Sequence, residues 1–130
     1  MNDTNELRAA LRQYYGDGNP PFHHSLNRKF FYTRGVQFFA KNAGGGSYWL
    51  LDILAFEKAT AAHLRENGFA VAKLVVDNEV AMLTVTDEGN LVFSQHIPYT
   101  DCPTGEWKFF LMQTVVGSTE GVMILLPSEN

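Results

Sequence analysis

Cys102, His96 and Asp101 are the residues whose types fit nucleophilic catalysis. A thiol attacks as its thiolate, so His96 would have to reach Cys102 and lower its pKa while a third group orients the imidazole. His96 reads as lying on a strand face with Ser94 and Val92, whereas Cys102 sits in a loop between Pro98 and Pro103. No oxyanion-hole motif accompanies them. The expected state is a loop thiol and a surface histidine.

The other chemistry-bearing groups are weaker signals. His23-His24 with His63 or His96 is the one imidazole set, but adjacent histidines in extended chain point different ways, and no H-x3-H or C-x2-C spacing supports them. Neither a metal nor another cofactor is expected. Gly44-Gly45-Gly46-Ser47 precedes a helix, as phosphate-cradling loops do, yet it lacks a P-loop Lys-Ser/Thr and the G-x-G-x-x-G spacing. It reads as a connector. Asp77/Glu79 and Asp87/Glu88 fall in turns, where solvation and backbone capping are the ordinary roles. Asp52, inside an apolar helix start, is expected to hydrogen-bond toward Thr33 or Arg34 rather than to transfer protons. Arg28, Lys29, Arg34 and Lys41 interleave with Phe30, Phe31, Tyr32, Phe38 and Phe39, a mixture that can stack single-stranded bases, although those aromatics are expected to fill the core.

The elements that must position these groups divide at Gly68. Before it the apolar period is helical. Asp3-Thr-Asn-Glu6 fits a capping box for a first helix over about residues 4–15. Gly16 to Pro21 stops it. Lys29–Thr33 is a short extended run. Thr33 is placed to cap a helix through Asn42, with a hairpin at Arg34-Gly35 as the competing reading. Ser47 is expected to cap one long helix to Asn67, buried along Leu50, Ile53, Leu54, Ala61 and Leu64. Beyond Gly68 the period is two. Phe69–Val76, Val80–Thr86, Leu91–Ile97, Glu106–Val116 and Val122–Leu126 read as five strands with compact turns at Asp77-Asn78 and Asp87–Asn90. The expected fold is a single α+β domain, 1–130, with N-terminal helices packed on a C-terminal antiparallel meander of about five strands. Ala70, Ala72, Leu74 and Val76 line one face, and Phe69, Val71 and Val75 the other with Lys73. A sheet apolar on both faces is covered twice or has a partner. The first helix with Phe22–Phe31, a homodimer or a different protein would supply that cover.

The chain has 130 residues, 45% of them hydrophobic, and needs no disulfide or metal to build a core. One cysteine and a polar start point to a reducing cytoplasmic setting, and no apolar run approaches the ~20 residues of a membrane span. The net charge of −4 is uneven: residues 1–68 carry +2 and residues 69–130 carry −6. An acidic half repels phosphate backbones and disfavours direct nucleic-acid binding. It suits a basic protein surface, including one that normally holds nucleic acid.

Phe31-Tyr-Thr-Arg-Gly-Val36, Tyr48-Trp-Leu-Leu-Asp52, Ser94-Gln-His-Ile-Pro-Tyr-Thr-Asp101 and Leu125-Leu-Pro-Ser-Glu129 resemble an uncharacterised family of small bacterial, phage and plasmid proteins, a domain of unknown function. The resemblance implies a setting of mobile elements and accessory genes and carries no activity or site residue. The expected function is that of a small protein-binding accessory factor, with inhibition of a host defence complex, including an anti-CRISPR role, as one form. Asp77, Glu79, Asp87 and Glu88 would steer association. The alternative is a small-molecule binder or enzyme with a pocket near His96 lined by Tyr32, Thr33, Asp52, His96, Tyr99 and Asp101. Single-strand nucleic-acid binding through Arg28–Lys41 is a weaker third reading.

Overall fold

A computed structural model describes residues 1–130. Asp3 starts the first helix, α1 (Thr4–Leu11), by accepting the Glu6 N–H on its carboxylate at 2.8 Å. That satisfies one of the donors every helix start leaves unpaired. The helix is shorter than the spacing of Leu7, Leu11 and Tyr14 predicts, because Gln13 and Tyr14 close tighter turns onto Ala10 and Leu11. Two short strands follow, β1 (Phe22–His23) and β2 (Phe30–Tyr32). Thr33 then caps α2 (Arg34–Asn42), its hydroxyl accepting the Val36 N–H at 3.4 Å. A helix, not a hairpin, follows the aromatic run.

The single helix expected from Ser47 to Asn67 is two, α3 (Tyr48–Phe56) and α4 (Lys58–Asn67). Glu57 leaves helical backbone at ψ 120° and its carboxylate accepts the Ala59 and Thr60 N–H groups at 2.9 and 2.6 Å. Burial raises the Glu57 pKa, but these hydrogen bonds outweigh it and hold the carboxyl below its ordinary value. Glu57 therefore caps the second of the two helices. Ser47, expected to cap, instead donates its hydroxyl to the Ala43 carbonyl at 3.0 Å.

Past Gly68 come β3 (Phe69–Asp77), β4 (Val80–Asp87), β5 (Asn90–Ile97), β6 (Gly105–Val116) and β7 (Thr119–Leu125), then a 3₁₀ turn at Pro127–Glu129. The fold is α+β. The sheet has seven strands rather than five, in the order β1-β2-β7-β6-β3-β4-β5, and β1 and β2 separate the helices. It is mixed, not a meander: β2 runs parallel to β7, and β6 pairs with the free side of β3. The connection from β5 to β6 crosses the β3–β4 turn, where the Thr100 N–H donates to the Glu79 carbonyl at 2.9 Å. Alternation along one strand says which face a residue takes but not which strand lies beside it, so this order was not readable in advance.

Inward-facing Ala70, Ala72, Leu74, Leu83, Trp107, Phe109, Leu111 and Ile124 meet Leu7, Val36, Phe39, Leu50 and Leu64 from the four helices in one contiguous core. The opposite face carries no helix. Phe22–Phe31, a candidate cover, contributes β1 and part of β2 to the sheet instead, and α1 packs its Leu7 into the core on the helical side.

Candidate functional site

The six residues expected to line one pocket do not converge. Asp52 and Tyr32 share a cleft of about 270 Å³ with His23, His24, Ser25 and Tyr48. Asp52 does not reach toward Thr33 or Arg34. Its carboxylate meets His24 Nε2 at 2.7 Å. His24 is 6% exposed, and its Nδ1 accepts the backbone N–H groups of Leu26 and Asn27 at 3.0 and 3.2 Å. Those two donors assign the proton to Nε2, which donates to Asp52. With both nitrogens engaged, the ring has no free lone pair for a base or a metal. It folds the Ser25–Lys29 loop, which Asn27 also ties to the Ala55 carbonyl at 2.7 Å. Burial, and then the nearby Tyr48, raise the Tyr32 phenol above its ordinary pKa.

The other four residues lie elsewhere. Thr33 donates its hydroxyl to Glu129 at 2.6 Å. His96 is exposed on the uncovered face of β5, opposite Met82, and β5 is five strands from β2, about 24 Å at ordinary strand spacing. Tyr99 and Asp101 belong to the crossover, and Tyr99 is exposed. Of the six, only Tyr32 and Asp52 line a common cleft, and His96 is not part of it.

The glycine connector does meet an anion, and the chain supplies it. Asp101 Oδ2 accepts the Gly45 N–H at 2.8 Å, and a Cβ on Gly44 would strike the same carboxylate. Asp101 thus occupies the place a bound phosphate would take. Cys102 beside it is buried. Burial first, then the Asp101 charge, push its thiol up to about 12 against a weaker opposing hydrogen bond from Ser47. A thiol so raised is protonated at neutral pH and is not an activated nucleophile. The basic-aromatic mixture is also dismantled. Phe30, Phe31 and Phe39 are buried, Phe38 packs on Tyr14, and Arg34 pairs with Asp17.

The four turn acids separate into two groups. Asp77 and Glu79 flank one end of β4, Asp87 and Glu88 the other, and eight residues of strand hold the groups about 23 Å apart. Asp87 is engaged, its carboxylate 2.8 Å from His63 Nε2 on α4. Asp77, Glu79 and Glu88 are exposed. Both turns are two-residue hairpins with positive φ at each central position: Asn78 at 51°, Glu79 at 65°, Glu88 at 50° and Gly89 at 83°. Between them the uncovered face exposes Val75 (41%), Val80 (39%) and Met82 (42%), while inward neighbours such as Leu74 and Leu83 are fully buried.

Sequence reasoning missed three relationships: His24 with Asp52, Glu129 with Thr33, and Lys73 directly opposite Lys108. Only the last had a signal, a lysine within the apolar run of each of two strands. Its meaning depended on β6 lying beside β3.

Fold and site together define a small α+β protein with helices on one sheet face, an open opposite face, and recognisable motifs that bond to each other. Residues 5–130 match the model of a family of unknown function, DUF6876, and the chain belongs to that family. No curated protein and no solved structure matches it.

Proposed function

We propose that this protein acts by binding another protein through the uncovered sheet face over β3–β5. The observation that carries the reading is the row of exposed Val75, Val80 and Met82 on a face against which no helix packs. An apolar centre with a charged rim is the anatomy of a protein interface. The rim is acidic, with Asp77 and Glu79 at one end and Glu88 at the other, so the partner surface is basic. Glu79 and Glu88 hold left-handed backbone that disfavours a residue with a Cβ. Carboxylates kept at strained turn tips are consistent with a role outside the fold. Asp87, held by His63, contributes to the turn rather than to steering.

A basic surface that normally holds nucleic acid is the partner class that fits this rim. Inhibition of a host defence complex by a mobile-element accessory protein, in the anti-CRISPR manner, is the specific form we favour. The test is affinity capture from bacterial lysate with wild type, with Asp77→Lys/Glu79→Lys/Glu88→Lys, and with Met82→Asp. One stoichiometric partner, released by high salt and lost in both variants while their circular dichroism is unchanged, is the expected result. Capture that ignores both variants would end the reading.

A second reading rests on the Tyr32–Asp52 cleft, whose two tyrosines, His23 and Ser25 suit a small polar ligand. Saturable metabolite binding that Tyr48→Ala removes would favour it.

A further inference from the structure

β7 ends at Leu125, opposite Phe110, while β6 runs back to Gly105. Pro127 turns the chain aside into the 3₁₀ turn, so Glu106–Phe109 pair with β3 on one side only. No hydrogen bond from α1 or the C-terminal turn reaches their backbone. Alternate residues of a strand direct their N–H and C=O to opposite sides, so part of this stretch faces away from β3 without a partner.

The open edge forms one wall of a cleft of about 240 Å³. Its floor includes Trp107 and Leu11, and its rim carries Arg8, Arg12 and Lys108 against a single carboxylate, Glu106. The Arg8 guanidinium lies 5.3 Å over the Trp107 ring and 3.0 Å from where a Cβ on Gly105 would stand. Lys73 sits directly across from Lys108, an unfavourable juxtaposition of like charges. None of these four cations has a carboxylate within ion-pair distance; the chain's three ion pairs lie elsewhere. In a protein of net charge −4, this is a local inversion of sign.

We propose that this cleft takes an extended, acidic segment of a partner protein, which adds to Glu106–Phe109 as a short strand in the row that β7 leaves empty. Strand addition satisfies the open backbone, and alternate side chains then read the cleft. Alternate side chains on one face of the added strand meet Lys108, and those on the other meet Arg8 and Arg12 beside Leu11 and Trp107. A small anion answers the charge but leaves the strand edge unpaired, and a nucleic-acid strand cannot continue a β ladder. Four residues of edge span about 13 Å, enough for three or four residues of added strand. The site adjoins the β3–β5 face, to which Lys73 belongs, and prefers the opposite charge.

The experiment is an amide-resolved NMR titration of the full chain at low salt with acetyl-Glu-Val-Glu-Val-Glu-amide. The all-lysine counterpart, glutarate and inorganic phosphate are run beside it. The expected result is saturable binding of the acidic peptide, with the largest shifts and slowed amide exchange at Glu106–Phe109. Arg12→Glu/Lys108→Glu, two exposed positions, weakens it at least about tenfold with the free spectrum otherwise preserved. Asp77→Lys/Glu79→Lys leaves it unchanged. Absence of saturable binding, equal binding of the lysine peptide, or shifts centred elsewhere would overturn the proposal. So would glutarate or phosphate reproducing the same shifts at the same affinity, which marks a small-anion site only. Concentration-dependent self-association at this edge without peptide would assign the cleft to a second copy and overturn it as well.

Discussion

Glu129 accepts the Thr33 hydroxyl at 2.6 Å, closing a contact between residues 96 positions apart. The same carboxylate accepts the N–H groups of Gly35 at 3.1 Å and Leu126 at 3.0 Å. It therefore places a negative charge at the start of α2, where unpaired N–H groups and the helix dipole favour one. The Tyr32–Val36 and Leu125–Glu129 segments are thus halves of one joint.

Glu129→Ala leaves three donors without their acceptor and is expected to lower stability by about 2 kcal/mol. Gly35→Ala is expected to cost about 1–3 kcal/mol, because overpacking strains a filled site and a Cβ there would lie 2.6 Å from Leu126 and 2.7 Å from Glu129. Urea unfolding of each variant measures both. A Glu129→Ala curve that overlays wild type would show that the joint does not support the fold.

The Gly44–Asp101 contact ties the crossover to the connector before α3. Asp101→Ala is expected to cost about 1 kcal/mol through the lost Gly45 hydrogen bond. Gly44→Ala should cost more, since its φ of 59° disfavours a Cβ and the added methyl meets Asp101. Thermal melts should rank the two in that order. The reverse ranking would mean that the loop relaxes around the methyl.

Cys102 gives stability a pH dependence on the alkaline side. Its folded pKa of about 12 lies above the ordinary value of 9.0, so the folded state holds the proton more tightly. The contribution is complete below pH 9.0 and is lost as pH rises toward about 12, where the unfolded chain has already released its proton. Wild type is expected to lose more stability than Cys102→Ala across that window. Identical slopes would show that the thiol is not shielded. Iodoacetamide at neutral pH should leave native Cys102 unmodified and alkylate it in urea.

Glu79→Gly should separate stability from binding. Asparagine followed by glycine is the favoured pair for this turn, and Asn78 already supplies the first position. Relief of the 65° φ at Glu79 is therefore expected to add about 0.5 kcal/mol. Partner capture, if the acidic rim steers it, should weaken and lose part of its salt dependence. A gain in stability with unchanged capture would remove Glu79 from the interface.

Local chemistry was legible in the chain itself. Asp3, Thr33 and Gly68 marked helix ends, and the Asp/Asn/Gly turns marked hairpins, because capping and positive φ are satisfied within a few residues. Alternation correctly assigned Ala70, Ala72, Leu74 and Val76 to one face. The break at Glu57 in the expected long helix was not legible, because a carboxylate on a helix surface and one capping the next helix have the same local sequence.

What the sequence alone determined was therefore the α+β class, the chief turns and the uneven charge, all set by short-range periodicity and composition. Tertiary structure alone decided the strand order, and with it every long-range meeting of side chains. It brought β6 beside β3 and so Lys73 against Lys108, stopped β7 short to leave an edge beneath Arg8 and Arg12, and put His96 across the sheet from Asp52. Such contacts join residues tens of positions apart. They follow from how whole faces bury apolar area together, a property that no single segment carries.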